Sequence, residues 1–349
     1  MKKLTIVAIL ALLASLTALS GGLVSAAHCT TTVTAPSSIQ TAVDAASPGD
    51  VVCLDDSGGV FSQTVVFGPE DSGITLTAED GDTPVMDGGS AALDAIRFLN
   101  GVSDVTIEGL TIQNYGSGSW TQPGNAIQAW DVSTSNITIR NNVMDDFSWN
   151  AVLVGSEGGF VHDNWMVKNN TVRDATFVGI ELTNCEECTI MKNDVDPSLL
   201  GIVVQARNTV AGSGAVVIDG VHILHNTVDN AVFGIYVLSF TGHPTLFTPI
   251  TGASSLLSSV SISHNTVTDS GAIGVLFWAF NAEATAKNGR IMKNVINCPA
   301  TTLGDIGVGI FTAAGSTVKN VKVVNNSFAD CDTNVIDGGD ATKQPPGPF

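Results

Sequence analysis

The stretch Leu224-His225-Asn226-Thr227-Val228 is one copy of a pattern that occurs seven times along the chain. Each copy places an asparagine between two short apolar segments, and the repeated asparagines are Asn142, Asn170, Asn193, Asn226, Asn265, Asn294 and Asn326. Their spacing varies from 23 residues, between Asn170 and Asn193, to 39 residues, between Asn226 and Asn265. Such uneven spacing is typical of a solenoid with variable loops on one side. Asparagine tolerates the left-handed backbone of a sharp corner, and stacked amides can bond along the axis, so the row predicts an asparagine ladder.

A second block follows each asparagine, and its clearest copy is Gly179-Ile180-Glu181-Leu182. Because side chains alternate along a strand, Ile180 and Leu182 point inward and Glu181 points outward. Each coil should therefore add one strand to a continuous parallel sheet, with two shorter strands beside the asparagine, in about nine or ten coils. The other copies are Gly201-Ile202-Val203-Val204, Gly234-Ile235-Tyr236-Val237, Gly274-Val275-Leu276-Phe277, Gly309-Ile310-Phe311-Thr312, Ala95-Ile96-Arg97-Phe98, Ala126-Ile127-Gln128-Ala129 and Ala151-Val152-Leu153-Val154.

The two ends of the chain differ from this repeat. Residues 1–26 have the features of a signal peptide: Lys2 and Lys3, an apolar stretch, and small residues at the cleavage site. Residues 27–336 should form a single domain, whose front is covered by a short helix that begins at the capping box Ser37-Ser38-Ile39-Gln40. No such helix is evident at the rear, where residues 337–349 are polar, rich in Pro and Gly, and expected to be disordered.

The charge of the chain narrows its possible partners. There are 33 acidic and 14 basic residues, for a net charge of −19. Nucleic acid is not expected as a partner, because phosphate binding needs clustered Lys and Arg, and none are clustered in this sequence. A polyanionic sugar would be repelled unless a divalent cation bridged the two. No segment after the signal peptide is long and apolar enough for a membrane span, so we expect a secreted, extracellular protein.

Six cysteines in an exported chain predict disulfides. Cys29 with Cys53 would fasten the amino-terminal region. Cys298 and Cys331 follow repeated asparagines by four and five residues, so they should lie on neighbouring coils and can form a bridge. Cys185 and Cys188 form a CxxC without a second Cys or His pair to complete a zinc site, which favours a local disulfide.

From residue 37 to residue 336 the sequence resembles the right-handed parallel β-helix, or pectin-lyase-like, superfamily. The resemblance rests on the asparagine row, on the Gly-Ile row, and on the opening segment Ile39-Gln40-Thr41-Ala42-Val43-Asp44-Ala45-Ala46 with Pro48-Gly49-Asp50. It implies an all-β solenoid. The superfamily includes polysaccharide lyases, glycoside hydrolases, epimerases, tailspikes and adhesins, and the motifs of its pectinolytic enzymes are absent here, so it implies no specific reaction.

The outward positions of the Gly-Ile sheet hold the candidate site. Sugar rings stack on aromatic faces and their hydroxyls bond to polar side chains, which makes Gln128, Trp130, Gln205, Tyr236 and Trp278 candidate substrate-binding residues. In an enzyme, a lyase or glycoside hydrolase, Glu181 would be the acid or base and Arg207 would stabilise charge. A second carboxylate is missing unless a loop supplies Asp131 or Glu157. The sequence thus favours a secreted protein that binds, and possibly cleaves, extracellular polysaccharide.

Three further interpretations stay open. Loops after the sheet, especially residues 238–259, could cover the aromatic side chains near the rear. No metal site or other cofactor is assigned, although calcium is possible if a row of stacked carboxylates bound it: Asp145, Asp174, Asp196, Asp229, Asp269 and Asp330. The alternative function is a non-catalytic structural or adhesive surface protein, which would self-assemble through its uncapped carboxyl-terminal end and the apolar residues Leu276, Trp278 and Phe311.

Overall fold

The computed structural model describes residues 28–90, 94–116, 124–197, 199–242, 250, 252–299 and 305–338. The predicted signal peptide lies outside these residues, as does all but the first two residues of the predicted tail. The described chain contains one α-helix, α1 (Ile39–Ala45), and strands that are numbered here in chain order. The strands are β1 (Thr31–Thr34), β2 (Val51–Asp55), β3 (Val65–Phe67), β4 (Thr75–Ala78), β5 (Val85–Asp87), β6 (Asp94–Phe98), β7 (Thr106–Glu108), β8 (Thr111–Tyr115), β9 (Asn125–Trp130), β10 (Thr138–Arg140), β11 (Val143–Phe147), β12 (Asn150–Gly155), β13 (His162–Asp163), β14 (Met166–Lys168), β15 (Thr171–Ala175), β16 (Val178–Thr183), β17 (Cys185–Glu186), β18 (Thr189–Met191), β19 (Asp194–Asp196), β20 (Leu200–Asn208), β21 (Gly214–Ile218), β22 (His222–Leu224), β23 (Thr227–Asp229), β24 (Phe233–Thr241), β25 (Ala253–Ser258), β26 (Ser261–Ser263), β27 (Thr266–Thr268), β28 (Ile273–Phe280), β29 (Ala284–Lys287), β30 (Arg290–Met292), β31 (Val295–Asn297), β32 (Ile306–Thr312), β33 (Thr317–Lys319), β34 (Lys322–Val324), β35 (Ser327–Ala329) and β36 (Thr333–Asp337).

Three long parallel sheets run the length of a β-helix, which confirms the predicted fold. Sheet I has eleven strands in the order β1-β2-β4-β7-β10-β14-β18-β22-β26-β30-β34. Sheet II has nine, in the order β35-β31-β27-β23-β19-β15-β11-β8-β5, and sheet III has ten, in the order β3-β6-β9-β12-β16-β20-β24-β28-β32-β36. Successive coils therefore stack strand on strand, so the predicted number of coils is also confirmed.

A fourth sheet appears in the later coils, where three strands per coil were expected. Strands β20 and β24 each extend to nine residues, and the chain then forms sheet IV, in the order β21-β25-β29-β33. The added segments continue the alternation of the Gly-Ile block, with small buried residues such as Ala206 and Ser239 on the inner face. This extension widens the outer face of sheet III in the later coils.

The core is a stack of apolar side chains inside the coils. On sheet I, Ile107, Ile139, Val167 and Ile190 lie in register on successive strands, and all are fully buried. Helix α1 covers the front end: Ile39 and Val43 are buried, and the Ser38 hydroxyl accepts a bond from the Thr41 N–H at 3.1 Å. The predicted capping helix is confirmed.

The repeated asparagines join each coil to the next. The Oδ1 atom of Asn226 accepts from both the backbone N–H and the side-chain amide of Asn193, each at 2.9 Å. The amide of Asn226 in turn donates to the Ile190 carbonyl at 3.0 Å and to Asn265 Oδ1 at 3.0 Å. The left-handed corner lies one residue earlier, where His225 has a φ of 57°. The sequence interpretation placed this conformation at the asparagine itself, but that side chain is turned inward to make these bonds.

All three predicted disulfides are present: Cys29–Cys53, Cys185–Cys188 and Cys298–Cys331. The last of these links two neighbouring coils at the rear. Strands β34, β35 and β36 end sheets I, II and III, and each has a neighbour on one side within the described chain. Among the described residues, none forms a helix long and apolar enough to cross a membrane.

Candidate functional site

A groove of about 170 Å³ lies on the outer face of sheet III, in the later coils. Its lining residues come from three consecutive strands, β20, β24 and β28, and are Gln205, Arg207, Tyr236, Leu238, Phe240, Trp278 and Phe280. These seven residues are called the groove below. Parallel strands lie about 4.8 Å apart, so the groove runs roughly 10 Å along the axis of the rod.

The aromatic rings of the groove contact one another. Trp278 and Phe280 meet edge to face, with ring centroids 4.6 Å apart, and Phe240 stacks on Phe280 at 5.9 Å. Tyr236 stacks on Phe233 at 6.0 Å, and burial raises the pKa of its hydroxyl. Edge and stacked contacts of this kind fix ring orientation. The rings therefore form a preformed apolar wall.

Arg207 is the charged residue of this wall. Its guanidinium carbon lies 5.9 Å from the centroid of the Trp130 ring and 6.0 Å from that of Phe240, within the range of cation–π attraction. Its Nη2 atom donates to Glu157 Oε1 at 2.9 Å. The buried Nε atom of Arg207 has no hydrogen-bond partner in the described part of the chain. This N–H is enclosed by the surrounding protein, while the Arg207 side chain as a whole keeps 18 % of its surface exposed.

Glu181 lies behind the groove and is 5 % exposed. Three side chains donate to its carboxylate: Asn150 at 2.9 Å, Thr183 at 3.0 Å and Gln205 at 3.2 Å. Burial raises the pKa of Glu181, and the positive charge of Arg207 acts in the opposite direction. Since Gln205 lines the groove, its bond to Glu181 fixes one polar group of the wall.

A row of buried polar side chains leads from the front coils to this carboxylate. The amide of Asn125 donates to Asp94 Oδ1 at 2.7 Å, and the backbone N–H of Asn150 donates to Asn125 Oδ1 at 3.1 Å. Asn150 then donates to Glu181. Burial raises the pKa of Asp94. The polar groups below this face thus bond to one another across four coils.

The structure brings together most of the residues that the sequence singled out. Gln205, Arg207, Tyr236 and Trp278 line the groove, while Trp130 contacts Arg207 at its front edge. Gln128 is in register with Arg97 on the preceding coil and with Leu153 on the following coil, and it does not line the groove. Glu157, named only as a possible second carboxylate, is the ion-pair partner of Arg207.

Three residues that line the groove were not predicted from the sequence. In addition, Phe311 was predicted two residues out of register. Leu238, Phe240 and Phe280 lie on the extended parts of β24 and β28, where outward residues continue the strand alternation. Phe311 is paired with Trp278, and Gly309 is paired with Leu276. The sequence contains two overlapping copies of the block, beginning at Gly307 and at Gly309, and a shift of two residues keeps every side chain on its face.

The apolar patch that was expected near the rear is smaller than predicted. Leu276 is only 3 % exposed, while Trp278 and Phe311 are half-buried. Leu276 therefore contributes almost nothing to the surface.

The predicted row of carboxylates is not a single row. Asp145 is paired with Arg173, and Arg173 is paired with Asp196, so these residues face outward on sheet II. Asp174 and Asp269 occupy the left-handed corner that follows, with φ values of 49° and 50°. The predicted aspartates therefore occupy two positions one residue apart: an outward position on the strand and the left-handed turn after it, where aspartate is favoured.

One group of three carboxylates lies at the front of the described chain: Asp55, Asp56 and Asp82, whose oxygens are within 4.8 Å of one another. Two of these carboxylates already accept hydrogen bonds. Asp55 accepts from the Thr34 hydroxyl at 2.9 Å and the Ser57 N–H at 2.7 Å, which hold its pKa below the usual value, and Asp56 accepts from the Thr83 N–H. The predicted possibility of calcium stays a prediction.

The histidines and cysteines offer few metal ligands. All six cysteines are in disulfides. His225 and His264 lie on neighbouring coils with their rings stacked, 4.8 Å between centroids and 20° between planes. His162 is buried and bonds to the Thr134 hydroxyl at 2.8 Å.

Comparison with known proteins gives one family. The model of the family described as periplasmic copper-binding protein NosD matches residues 55–248. No curated protein sequence matches the chain significantly.

Several solved structures share the fold at low identity. A polygalacturonase from Erwinia carotovora ssp. carotovora is 16 % identical with a TM-score of 0.60, covering 90 % of this chain and 96 % of that one. An endo-xylogalacturonan hydrolase from Aspergillus tubingensis is 11 % identical with a TM-score of 0.57, covering 90 % and 98 %. PfbA, a surface adhesin of Streptococcus pneumoniae, is 14 % identical with a TM-score of 0.53, covering 84 % and 86 %. These similarities concern the fold.

Proposed function

The chain belongs to the NosD family of parallel β-helix proteins, and we propose that it is an exported protein that binds a polysaccharide in its aromatic groove. Three disulfides fit an exported protein, because such bonds form and persist in oxidising compartments.

The observation that carries the proposal is the composition of the groove. Five of its seven lining residues are apolar or aromatic, and the two polar ones, Gln205 and Arg207, project from the same strand. A sugar ring has apolar faces and a rim of hydroxyl groups, so it stacks on an indole or phenol ring while its hydroxyls bond to fixed polar groups. Trp278 and Tyr236 supply the faces, and Gln205 and Arg207 supply the donors.

The relatives in fold support the choice of a polysaccharide. Two of them are a polygalacturonase and an endo-xylogalacturonan hydrolase. The groove also crosses three consecutive coils, and this extent along the rod axis fits a chain of sugars.

Copper, which the family description names, does not fit the residues that the structure describes. Proteins hold copper with thiolate, thioether and imidazole ligands. The cysteines are oxidised, and the rings of His225 and His264 stack, so their nitrogen lone pairs lie in nearly parallel planes and do not converge on one ion. The one described group of three carboxylates, at Asp55, suits a hard cation instead. Our proposal therefore includes no copper site.

Glu181 and Arg207 have different roles in this proposal. Arg207 contacts the ligand, whereas Glu181 is a positioning residue that holds Gln205 through the 3.2 Å bond. The Glu181 side chain is almost fully buried and its carboxylate accepts bonds from three side chains, which supports this positioning role. The catalytic assignment of these two residues stays a prediction, to be checked by assaying Glu181→Gln for reducing ends and for unsaturated products.

Calorimetric titration with soluble neutral and acidic polysaccharides, with and without calcium, tests the binding function. We expect at least one of them to bind, and Trp278→Ala, which removes one of the two stacking faces, to weaken that binding about tenfold, as for an aromatic anchor. Phe160→Ala is the matched control, since Phe160 is an exposed aromatic residue outside the groove. No binding to any polysaccharide, or an equal effect of both variants, would refute the proposal.

A second candidate function is self-assembly at the rear of the rod. Strands β34, β35 and β36 each present one edge without a strand neighbour in the described chain, and such edges are templates for pairing with another chain. Light scattering over a concentration series would reveal it. A monomer at every concentration, unchanged by Phe311→Ser, would exclude it.

A further inference from the structure

The last two coils carry a concentration of positive charge that is unusual for this protein. Residues 284–297 and 316–329 contain Lys287, Arg290, Lys293, Lys319 and Lys322, and no acidic residue. The whole chain has a net charge of −19. The sequence interpretation found no basic cluster, because the two segments are separated along the chain, but stacking of the coils places them side by side. These five residues are called the basic patch below.

The strand register sets like charges opposite each other. Arg290 is paired with Lys322 on sheet I, and Lys287 is paired with Lys319 on sheet IV. Neighbouring parallel strands are about 4.8 Å apart, and like charges in directly opposed positions destabilise a sheet. Both pairs therefore work against the fold of the free protein.

Little within the described chain offsets this repulsion. None of the four ion pairs involves the patch, and four of its five residues are exposed, with Lys287 half-buried. The hydrogen bond from the Ser258 hydroxyl, and to a smaller extent Lys287, lower the pKa of Asp219, but Lys287 and Asp219 are not within ion-pair distance. The patch thus presents almost its full positive charge to solvent.

We propose that the basic patch is a second binding site, for an anionic polysaccharide. A polymer with a carboxylate or sulfate on successive sugars places negative charge along the paired cations and removes their mutual repulsion. The net negative charge elsewhere does not prevent this, because salt screens charges beyond about 8–10 Å. The patch lies on sheets I and IV, so it is separate from the groove on sheet III and does not depend on the function proposed for it.

Polysaccharide fits this patch better than nucleic acid, the other common polyanion. Single-stranded nucleic acid is bound by stacking its bases on exposed aromatic rings. The two patch segments contain one aromatic residue, Phe328, which packs partly buried against the core. A disulfide-bonded exported protein also meets anionic glycans more readily than nucleic acids.

Binding to dextran sulfate, polygalacturonate and uncharged dextran, measured at several salt concentrations, tests the proposal. The key variant is Lys319→Glu with Lys322→Glu, and its matched control is Lys168→Glu with Lys192→Glu. The control makes the same change in charge on sheet I and the corner that follows it, several coils away. We expect the key variant to lose roughly tenfold or more in affinity for both anionic polymers, and the control to stay within about twofold of the parent.

Further outcomes are equally decisive. Affinity for dextran sulfate should fall as salt rises, and Phe160→Ala, a change at an exposed position outside both the groove and the basic patch, should leave it unchanged. Equal loss in both charge variants, salt-independent binding, or tighter binding of a single-stranded oligonucleotide of matched charge would overturn the proposal. If the glutamate variant does not fold, Lys319→Gln with Lys322→Gln relieves the repulsion, should fold, and should lose affinity in the same direction.

Discussion

The guanidinium group of Arg207 lies 5.9 Å from the centroid of the Trp130 ring, although the two residues are on strands β20 and β9, three steps apart in sheet III. Strands β12 and β16 lie between them, and the residue in register with Trp130 on β12 is Gly155. Without a side chain at that position, the indole lies across the coil toward Arg207. Gly155 therefore brings two predicted binding residues together.

Gly155→Ala should weaken polysaccharide binding. A Cβ at this position would lie 2.5 Å from the Thr183 Cβ and 3.0 Å from an atom of the Trp130 ring, and Gly155 also has a φ of 155°. Thr183 must shift and the Trp130 ring must give way slightly, and we expect about a tenfold loss of affinity by calorimetry. Gly159→Ala is the control, because its φ of 91° also strains the backbone while nothing lies within 4 Å. Similar affinity in the two variants would contradict this role for Gly155.

Asn226→Ala should destabilise the rod more than Asn326→Ala. The first change removes the acceptor of the Asn193 backbone N–H and of one N–H of its amide, together with the bond to the Ile190 carbonyl, in the interior, at a cost of about 3 kcal/mol. Asn326 is at the rear end and partly exposed, so water can replace its bonds, and the cost falls to about 1 kcal/mol. Urea denaturation followed by circular dichroism would measure both. Equal denaturation midpoints for the two variants would contradict the conclusion that the inward asparagine bonds stabilise the rod.

Acid should destabilise the protein through His162. Burial lowers the pKa of His162 from 6.5 to about 4. In this interval the unfolded chain binds a proton that the folded chain does not, so stability is present above pH 6.5 and is lost as pH falls toward 4. The loss amounts to about 3 kcal/mol. We expect His162→Gln to flatten the dependence of the melting temperature on pH between 6.5 and 4. His264→Gln, at an exposed position, should leave it unchanged.

Removing one positive charge from the rear coils should stabilise the free protein. Lys322→Gln ends the repulsion with Arg290 and should raise the free energy of unfolding by about 0.5 kcal/mol at low salt. Arg140→Gln, which removes the partner of Glu108, should lower it slightly. Thermal unfolding at two salt concentrations would compare them, since high salt should shrink both effects. A lower melting temperature for Lys322→Gln at low salt would show that the opposed cations do not repel significantly.

The sequence predicts which residues stack on one another in successive coils better than it predicts where each strand ends. The inward Ile and Val residues repeat in register, so sheet III and its outward residues Glu181, Gln205 and Tyr236 were placed correctly. Phe240 and Phe280 were not found, because they lie beyond the repeated block, and only continued alternation marks them. Glu157 reaches Arg207 from a loop 50 residues earlier in the chain, and no local pattern determines where a loop side chain points.

The inward asparagines make the length of the rod adjustable. The five asparagines of the row from Asn170 to Asn294 each bond to an asparagine on both adjoining coils, through the same atoms and at nearly the same distances, whatever the loops on those coils. A complete coil duplicated in tandem would therefore find identical donors and acceptors above and below it, and would lengthen the molecule by about 4.8 Å. Extra copies of strands β24 and β28 would add aromatic wall to sheet III at the same increment. The number of coils that the gene encodes would then set how many sugar units such a surface contacts. No single side chain would need to change.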